Sequence, residues 1–371
     1  MNKKRLVIFL TFIMIISCFV GCDSTKETNV QSKSEITFTD IAGREVTIKK
    51  PVKRIIVNNR SLFDSLFAVG GEEMADMIIA TSGGTRGIEG FNNTYGKKFP
   101  KLKDLEQISG GGGSSSGYDA EKIISLKPDV VILINQKPDQ NLESLDKVIK
   151  VGIPVVCLSY NIEPLEDRVK NIEIIGKILG KEERAKEICD FITDKYELVN
   201  KRLENITTPA PNVHQLTFHG DTPKSFWSWA IIAKHAGGHD IAEDIPSGKL
   251  ENGGTIDPEY LFKRDPDIIT MGIDHLGLGG NEKEAQAYLQ EMVSKQPGWE
   301  NLSAVKNKKV YAISYSTALS LETFYANMQL AKWYYPKEFE DIDPDATLKE
   351  FYDKYMVFDY DGIWSRQLQS N

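Results

Sequence analysis

The side chains in this sequence with chemical potential suit holding a ligand better than transforming one. Short apolar runs, each read as a strand, end in polar or aromatic residues: Asn59 and Arg60 after Ile55-Ile56-Val57, Arg86 beyond Met77-Ile78-Ile79-Ala80, Gln136 after Val131-Ile132-Leu133-Ile134, and Tyr160 after Val155-Val156-Cys157-Leu158. Further on, His219 follows Leu216-Thr217-Phe218, Trp227 and Trp229 come soon after it, and His275 and Tyr315 end later runs. Residues in such positions gather beyond the carboxyl ends of an open α/β sheet, where ligands of these sheets sit. Guanidinium groups there would grip an anion through paired hydrogen bonds, and the aromatic rings would stack on a large planar or chelated ligand. Taken singly, each fits a structural role better than a ligand contact.

Other chemistries have less behind them. No Ser-His-Asp or paired-acid constellation stands in a supporting context, and no catalytic residue is assigned. His235 and His239 are four apart, a chelating spacing on a helix, but Gly237-Gly238 between them would end that helix. The glycine-serine run Ser109 to Gly117 leads into a helix start, where N–H groups favour an anion. Gly112 and Gly117 have the outer spacing of a P-loop, yet Tyr118 stands where Lys is required, and no register gives Gly-x-Gly-x-x-Gly. The run is therefore read as a surface loop or a ligand rim, without nucleotide, metal or cofactor.

Ile36 to Ile48 alternates around Ala42-Gly43-Arg44 as a β-hairpin does, and short apolar strands then alternate with helices up to Ser159. That pattern predicts a parallel sheet covered on both faces, interrupted by a long irregular stretch from Thr81 to Gly117. A helical block follows from about Glu163 to Ile206, in which Ala185, Ile188, Cys189, Ile192, Tyr196, Val199, Leu203 and Ile206 share one face. From Glu182 to Ile206 this helix would be about 37 Å long, enough to bridge two lobes. Its spacing alone fits two core helices of one domain at least as well. Beyond it the alternation resumes, with strands expected at Val213 to Phe218, Asp267 to Met271 and Lys309 to Ile313.

The two halves echo each other. Asp119 to Ile132 and Asp257 to Ile269 share a register: Asp as N-cap, Glu in the first turn, Pro at the helix stop, then a strand. Glu121 and Glu259 thus occupy equivalent exposed positions, where a glutamate also complements the helix dipole.

The 371 residues suffice for roughly two domains, and a 41% hydrophobic content suits real cores. Lys3, Lys4 and Arg5 precede an apolar run from Leu6 to Val20, too short for a comfortable membrane span and typical of a removable signal. Phe19-Val20-Gly21-Cys22 then resembles a bacterial lipobox, with Phe19 in place of the commoner Leu, which marks Cys22 for lipidation ahead of a polar tether. The formal net charge of −8 becomes more negative once residues 1–21 leave, so nucleic acid is not an expected partner. Cys157 and Cys189 read as buried thiols, and a bridge between them stays open.

Several stretches together resemble substrate-binding proteins of iron-complex, siderophore and cobalamin ABC importers. They are Phe38 to Thr47 with Pro51 to Val57, Glu121 to Ile132, Ala236-Gly237-Gly238 leading to Ile241-Ala242, Ile256 to Ile269, and Pro297-Gly298-Trp299 to Asn307. The resemblance spans about residues 36 to 335 in the expected order. It implies two Rossmann-like α/β lobes bridged by a single long α-helix, with the ligand in the cleft between them and little closure. It also implies that Glu121 and Glu259 dock into arginines of the two permease subunits, which work with a cytoplasmic ATPase. The expected organisation is a signal peptide (1–21), lipidated Cys22 and tether (22–35), an N-terminal lobe (36–180), the interlobe helix (181–206), and a C-terminal lobe with a helical tail (207–371). The expected protein is a monomeric, lipid-anchored, extracytoplasmic binding protein for an iron chelate or related metal complex. The same fold binding molybdate, tungstate, haem or a corrinoid, or an extracytoplasmic metal-dependent enzyme, are the alternatives.

Overall fold

Alternating side chains make the expected hairpin from β1 (Glu35–Thr39) and β2 (Glu45–Lys49), paired antiparallel with Thr37 opposite Thr47. The computed structural model describes residues 34–59, 61–82, 91, 94–109, 117–135, 142–159, 165–246, 250, 253–318 and 320–369, without the side chains of residues 135, 227 and 228. The signal segment, Cys22, Arg60, Arg86, Gln136, Tyr160, most of the glycine-serine loop and the Trp227 side chain lie outside the described residues. The hairpin is held by Asp40, whose buried carboxylate accepts from the Cys157 N–H at 3.0 Å and pairs with Arg44 at 2.6 Å.

Continuous apolar runs form the first sheet: β3 (Ile55–Val57), β4 (Ile78–Thr81), β5 (Glu106–Gln107), β6 (Val130–Asn135) and β7 (Val155–Ser159). All four pairings are parallel, in the order β5-β4-β3-β6-β7. The second sheet contains β8 (Asn212–His219), β9 (Thr222–Lys224), β10 (His239–Asp240), β11 (Ile268–Ile273), β13 (Val310–Ser314) and β15 (Ser365–Gln367). A separate two-stranded ribbon pairs β12 (Gly277–Leu278) with β14 (Gly362–Ile363). In the second sheet β8, β10, β11 and β13 are parallel, while β9 and β15 add antiparallel edges.

Between the sheets runs the linking helix Glu182–Leu203, about 33 Å long for its 22 residues. It buries Ala185, Ile188, Cys189, Ile192, Tyr196 and Val199 as its periodicity predicts, and Phe191 in addition. It packs on the helix Leu165–Leu179 of the first lobe and on Thr323–Tyr334 of the second, so it does bridge the two lobes. Gly176 permits the first of these contacts: a Cβ there would lie 2.5 Å from that of Ala185.

The internal echo is structural as well as sequential. Asp119 caps the helix Ala120–Leu126 through the Lys122 N–H, and Asp257 caps Pro258–Arg264 through the Glu259 and Tyr260 N–H groups. Both helices end on a left-handed residue, Lys127 and Asp265, before the proline turns the chain into its strand. Asp129 then accepts from the N–H groups of Lys53 and Arg54, and Asp267 from that of Asn212, each fixing the neighbouring strand's entry.

Two expectations need correction. The stretch from Thr81 to Gly117 is not irregular throughout: its described part holds the helix Tyr95–Lys98, a 3₁₀ turn at Pro100–Asp104 and strand β5. Buried Phe91, Tyr95, Leu102, Leu105 and Ile108 anchor it, outweighing its glycine-rich composition. The end of the chain is likewise more than the helix Pro344–Tyr355, because it returns as β14 and β15 across the second lobe.

Candidate functional site

A cavity of about 920 Å³ lies where the two lobes face each other. The first lobe contributes Asn59 and the start of the helix Ser61–Gly70, together with Phe91, Thr94 and Tyr95. The second contributes residues beyond β11 and β13, among them His275, the Gly277–Asn281 loop, Ser314 and Ser316. The site thus sits at the carboxyl ends of both sheets, where the open α/β architecture places ligands.

Each wall is fixed locally. Asn58, buried at the end of β3, bonds the Ile134 N–H and carbonyl and the Tyr118 hydroxyl, locking β3 to β6. Asn59 beside it accepts from the Ser61 N–H at 3.0 Å and hydroxyl at 3.1 Å, an Asx turn that starts the helix at the cavity edge. Arg168 donates to the carbonyls of Ser320 at 3.0 Å and Ala318 at 3.1 Å, tying the first lobe's last helix to the loop that carries Glu322. On the opposite side, His275 stacks on Tyr288 with ring centroids 4.4 Å apart.

Two tyrosine–carboxylate pairs line the interior. The Tyr95 hydroxyl donates to Asp64 at 2.6 Å, and the Tyr352 hydroxyl donates to Glu322 at 3.0 Å, with the Ser320 hydroxyl on the other Glu322 oxygen. Burial pushes the Glu322 carboxyl up, against the pull of these donors. Burial, then the adjoining carboxylates, push both phenols up as well. Asp274 and Glu284 stand on the exposed rim. Aromatic surface comes from Phe91, Phe358 and Trp364.

Of the residues expected at the ligand, Asn59 and His275 line this cavity. His219 is exposed at the end of β8 with its ring 5.6 Å from Phe226. Trp229 is 2% exposed; its indole fills the space over Gly272, where a Cβ would lie 2.5 Å away, and its ring lies 5.8 Å from that of Tyr315. His219, Trp229 and Tyr315 are therefore outside the cavity's described lining. Sequence reasoning missed Asp64, Tyr95, Glu322, Tyr352 and Phe358. Phe91, Tyr95 and Phe99 recur every four residues, a helical spacing that could have revealed Tyr95. No periodic signal marks Glu322, a lone acid in an apolar context.

Glu121 and Glu259 lie at the starts of helices that lead back along the strands they precede, so both are at the carboxyl ends of their sheets. Both are exposed, and the Lys147 ammonium lies 3.4 Å from the Glu121 carboxylate. The histidines do not converge: among the described residues no group of three or more His, Cys, Asp and Glu is arranged to hold a metal ion. Cys157 and Cys189 are separate buried thiols, which closes the question of a bridge.

Known proteins give the same picture. Residues 90–316 match the family described as periplasmic binding protein. The molybdate-binding protein MolA of Haemophilus influenzae is 24% identical over 355 residues, covering 87% of this chain and 91% of MolA. The Fe(3+)-citrate-binding protein YfmC of Bacillus subtilis is 24% identical over 315 residues, covering 82% and 88%. Among solved structures, the TroA-like periplasmic binding protein FepB from Veillonella parvula is 32% identical with a TM-score of 0.81, covering 90% of this chain and all of that one (100%). With more than half its length matched, and with two α/β lobes facing a cavity across one long helix, the chain belongs to the periplasmic binding protein family, whose members bind solutes for import.

Proposed function

We propose that this protein captures an iron chelate, or a related metal complex, in the interlobe cavity and delivers it to an ABC import permease. The cavity's size carries the reading. At about 920 Å³ it lies near the upper end of the roughly 300–1,000 Å³ typical of sites for small organic ligands, far more than a tetrahedral oxyanion fills. Its aromatic surface suits the organic shell of a chelate. Asp64, Asp274, Glu284 and Glu322 on its walls would repel a small dianion held close to them. The relationship to YfmC supports iron; that to MolA supports the second reading, a small oxyanion, for which Arg60 and Arg86 would be the donors.

The remaining parts of the reading follow the sequence. Asn59 and His275 contact the ligand directly, while Arg60, Arg86, Gln136, Tyr160, His219, Trp227, Trp229 and Tyr315 remain proposed contacts or supports. Glu121 on the 36–180 lobe and Glu259 on the 207–371 lobe dock with the permease subunits, and residues 181–206 keep their spacing. Cys22 anchors a monomer to the outer face of the membrane, and the protein makes and breaks no bond. Uptake of radiolabelled iron chelates by cells with and without this chain tests the function. Iron uptake that needs the chain supports it; uptake of molybdate alone that needs it would replace iron by the oxyanion.

A further inference from the structure

The last residues of the chain do more than finish the second lobe. After the helix Pro344–Tyr355, the segment crosses to the first lobe, where the rings of Phe358 and Tyr95 meet edge to face at 4.8 Å and 86°. Phe358 also approaches Phe99 at 6.4 Å, and Lys98 lies 5.7 Å from its centroid while donating to the Val357 carbonyl. Arg184 of the linking helix donates to Ala68 at 2.6 Å in the first lobe and to Tyr355 at 3.0 Å in the tail. The segment then returns to the second lobe as β14 and β15.

Its seat there is close. Gly362, at φ +118°, lies where a Cβ would be 2.1 Å from the Gly277 carbonyl oxygen, so a side chain cannot be accommodated without displacing backbone. The Gly279 N–H donates to the Asp361 carbonyl at 3.0 Å beside it. Along this segment Met356, Phe358 and Trp364 line the cavity.

We propose that the C-terminal segment from Met356 to Trp364 is a third wall of the ligand cavity, tying the tail to the first lobe across the cleft and presenting the Phe358 ring to an apolar or aromatic face of the bound chelate. The inference rests on the reading of this cavity as the ligand site. It makes Phe358 a specificity-determining residue: the segment sets the cleft width, and the ring selects chelates with organic surface over hydrated ions.

The test compares the full chain with its Phe358→Ala, Phe358→Tyr and Gly362→Val variants. Amide exchange across residues 95–104 reads the tie without any ligand. It should quicken by about tenfold in Phe358→Ala and Gly362→Val; unchanged exchange in both overturns the tie. Haem, a ferric trihydroxamate and ferric citrate are then titrated into each protein. The chelate bound by the unaltered chain should weaken by about tenfold in Phe358→Ala and recover in Phe358→Tyr, which keeps the ring. Unchanged affinity in Phe358→Ala, with binding still abolished by the cavity-filling Ser316→Trp, overturns the wall and leaves the ligand site standing. Binding that survives Ser316→Trp, or the failure of all three chelates to bind the unaltered chain, overturns both. If Phe358→Ala does not fold, Phe358→Leu takes its place in each comparison.

Discussion

Asp129 and Asp267, 138 positions apart in the chain, hold equivalent places in the two lobes. The Asp129 carboxylate accepts from the N–H groups of Lys53 at 2.7 Å and Arg54 at 2.8 Å, and the Asp267 carboxylate accepts from Asn212 at 2.9 Å. Each also donates its own N–H to the partner strand's entry, Asp129 to Arg54 and Asp267 to Asn212, both at 2.8 Å. The two halves thus start their central strand pair by one device, placed just after the end of the helix whose first turn bears Glu121 or Glu259. The helices that carry the proposed docking residues are thus joined to their strands in the same way in each lobe.

Changing Glu121 and Glu259 together to Arg should therefore leave chelate affinity intact and abolish uptake, because both are exposed and outside the cavity's lining. Binding to the purified variant and uptake by cells carrying it separate the two effects. Loss of binding by the purified protein would contradict the docking role.

Cys22→Ser should release the protein from membranes into the soluble fraction. Fractionation and immunoblotting read this directly, and continued anchoring would refute the lipobox assignment.

An added Cβ at Gly272 should destabilise the fold around Trp229. Gly272→Ala would put a Cβ 2.5 Å from the indole, and overpacking of this kind costs about 1–3 kcal/mol. Urea unfolding should show the midpoint fall by a corresponding amount; an unchanged midpoint would mean that the indole moves aside freely.

Burial lifts the Asp240 carboxyl to about 7, against the hydrogen bonds from the Ala242 and Gln215 N–H groups that lower it. The native state then binds the proton more tightly than the unfolded chain, so this contribution to stability is full below about 3.8 and is lost as pH rises through about 7. Buried His214, pushed down to about 4, acts in the opposite sense: its contribution is full above about 6.5 and is lost as pH falls toward 4. Between roughly pH 6.5 and 8 the Asp240 effect stands clear of it. Over that interval Asp240→Asn should lose less stability than the unaltered chain in urea titrations, and equal losses would contradict the assignment.

Much of this architecture was legible because single-residue signals coincided with periodicity. The Asp-Glu-Pro register of the two halves foretold paired helices with caps and stops, and the helix face from Ala185 to Val199 is buried as its spacing requires. That this helix bridges lobes was not in its spacing, which a core helix shares; it follows from what packs on its two ends. Positions after strands located Asn59 and His275 at the cavity, but the same rule named Trp229, which the small Gly272 draws into the core instead. The interior pairs Tyr95–Asp64 and Tyr352–Glu322 were hidden because each joins residues at least 30 apart in the chain, and no linear pattern records such a meeting.

The most direct test of the central claim is titration of the full chain, followed by intrinsic tryptophan fluorescence with inner-filter controls, against ferric trihydroxamate and tris-catecholate chelates, ferric citrate, haem, cobalamin, molybdate and tungstate. Saturable binding of an iron chelate that disappears in Ser316→Trp is the expected result. A response to molybdate and tungstate alone would contradict it and move the site to Arg60 and Arg86.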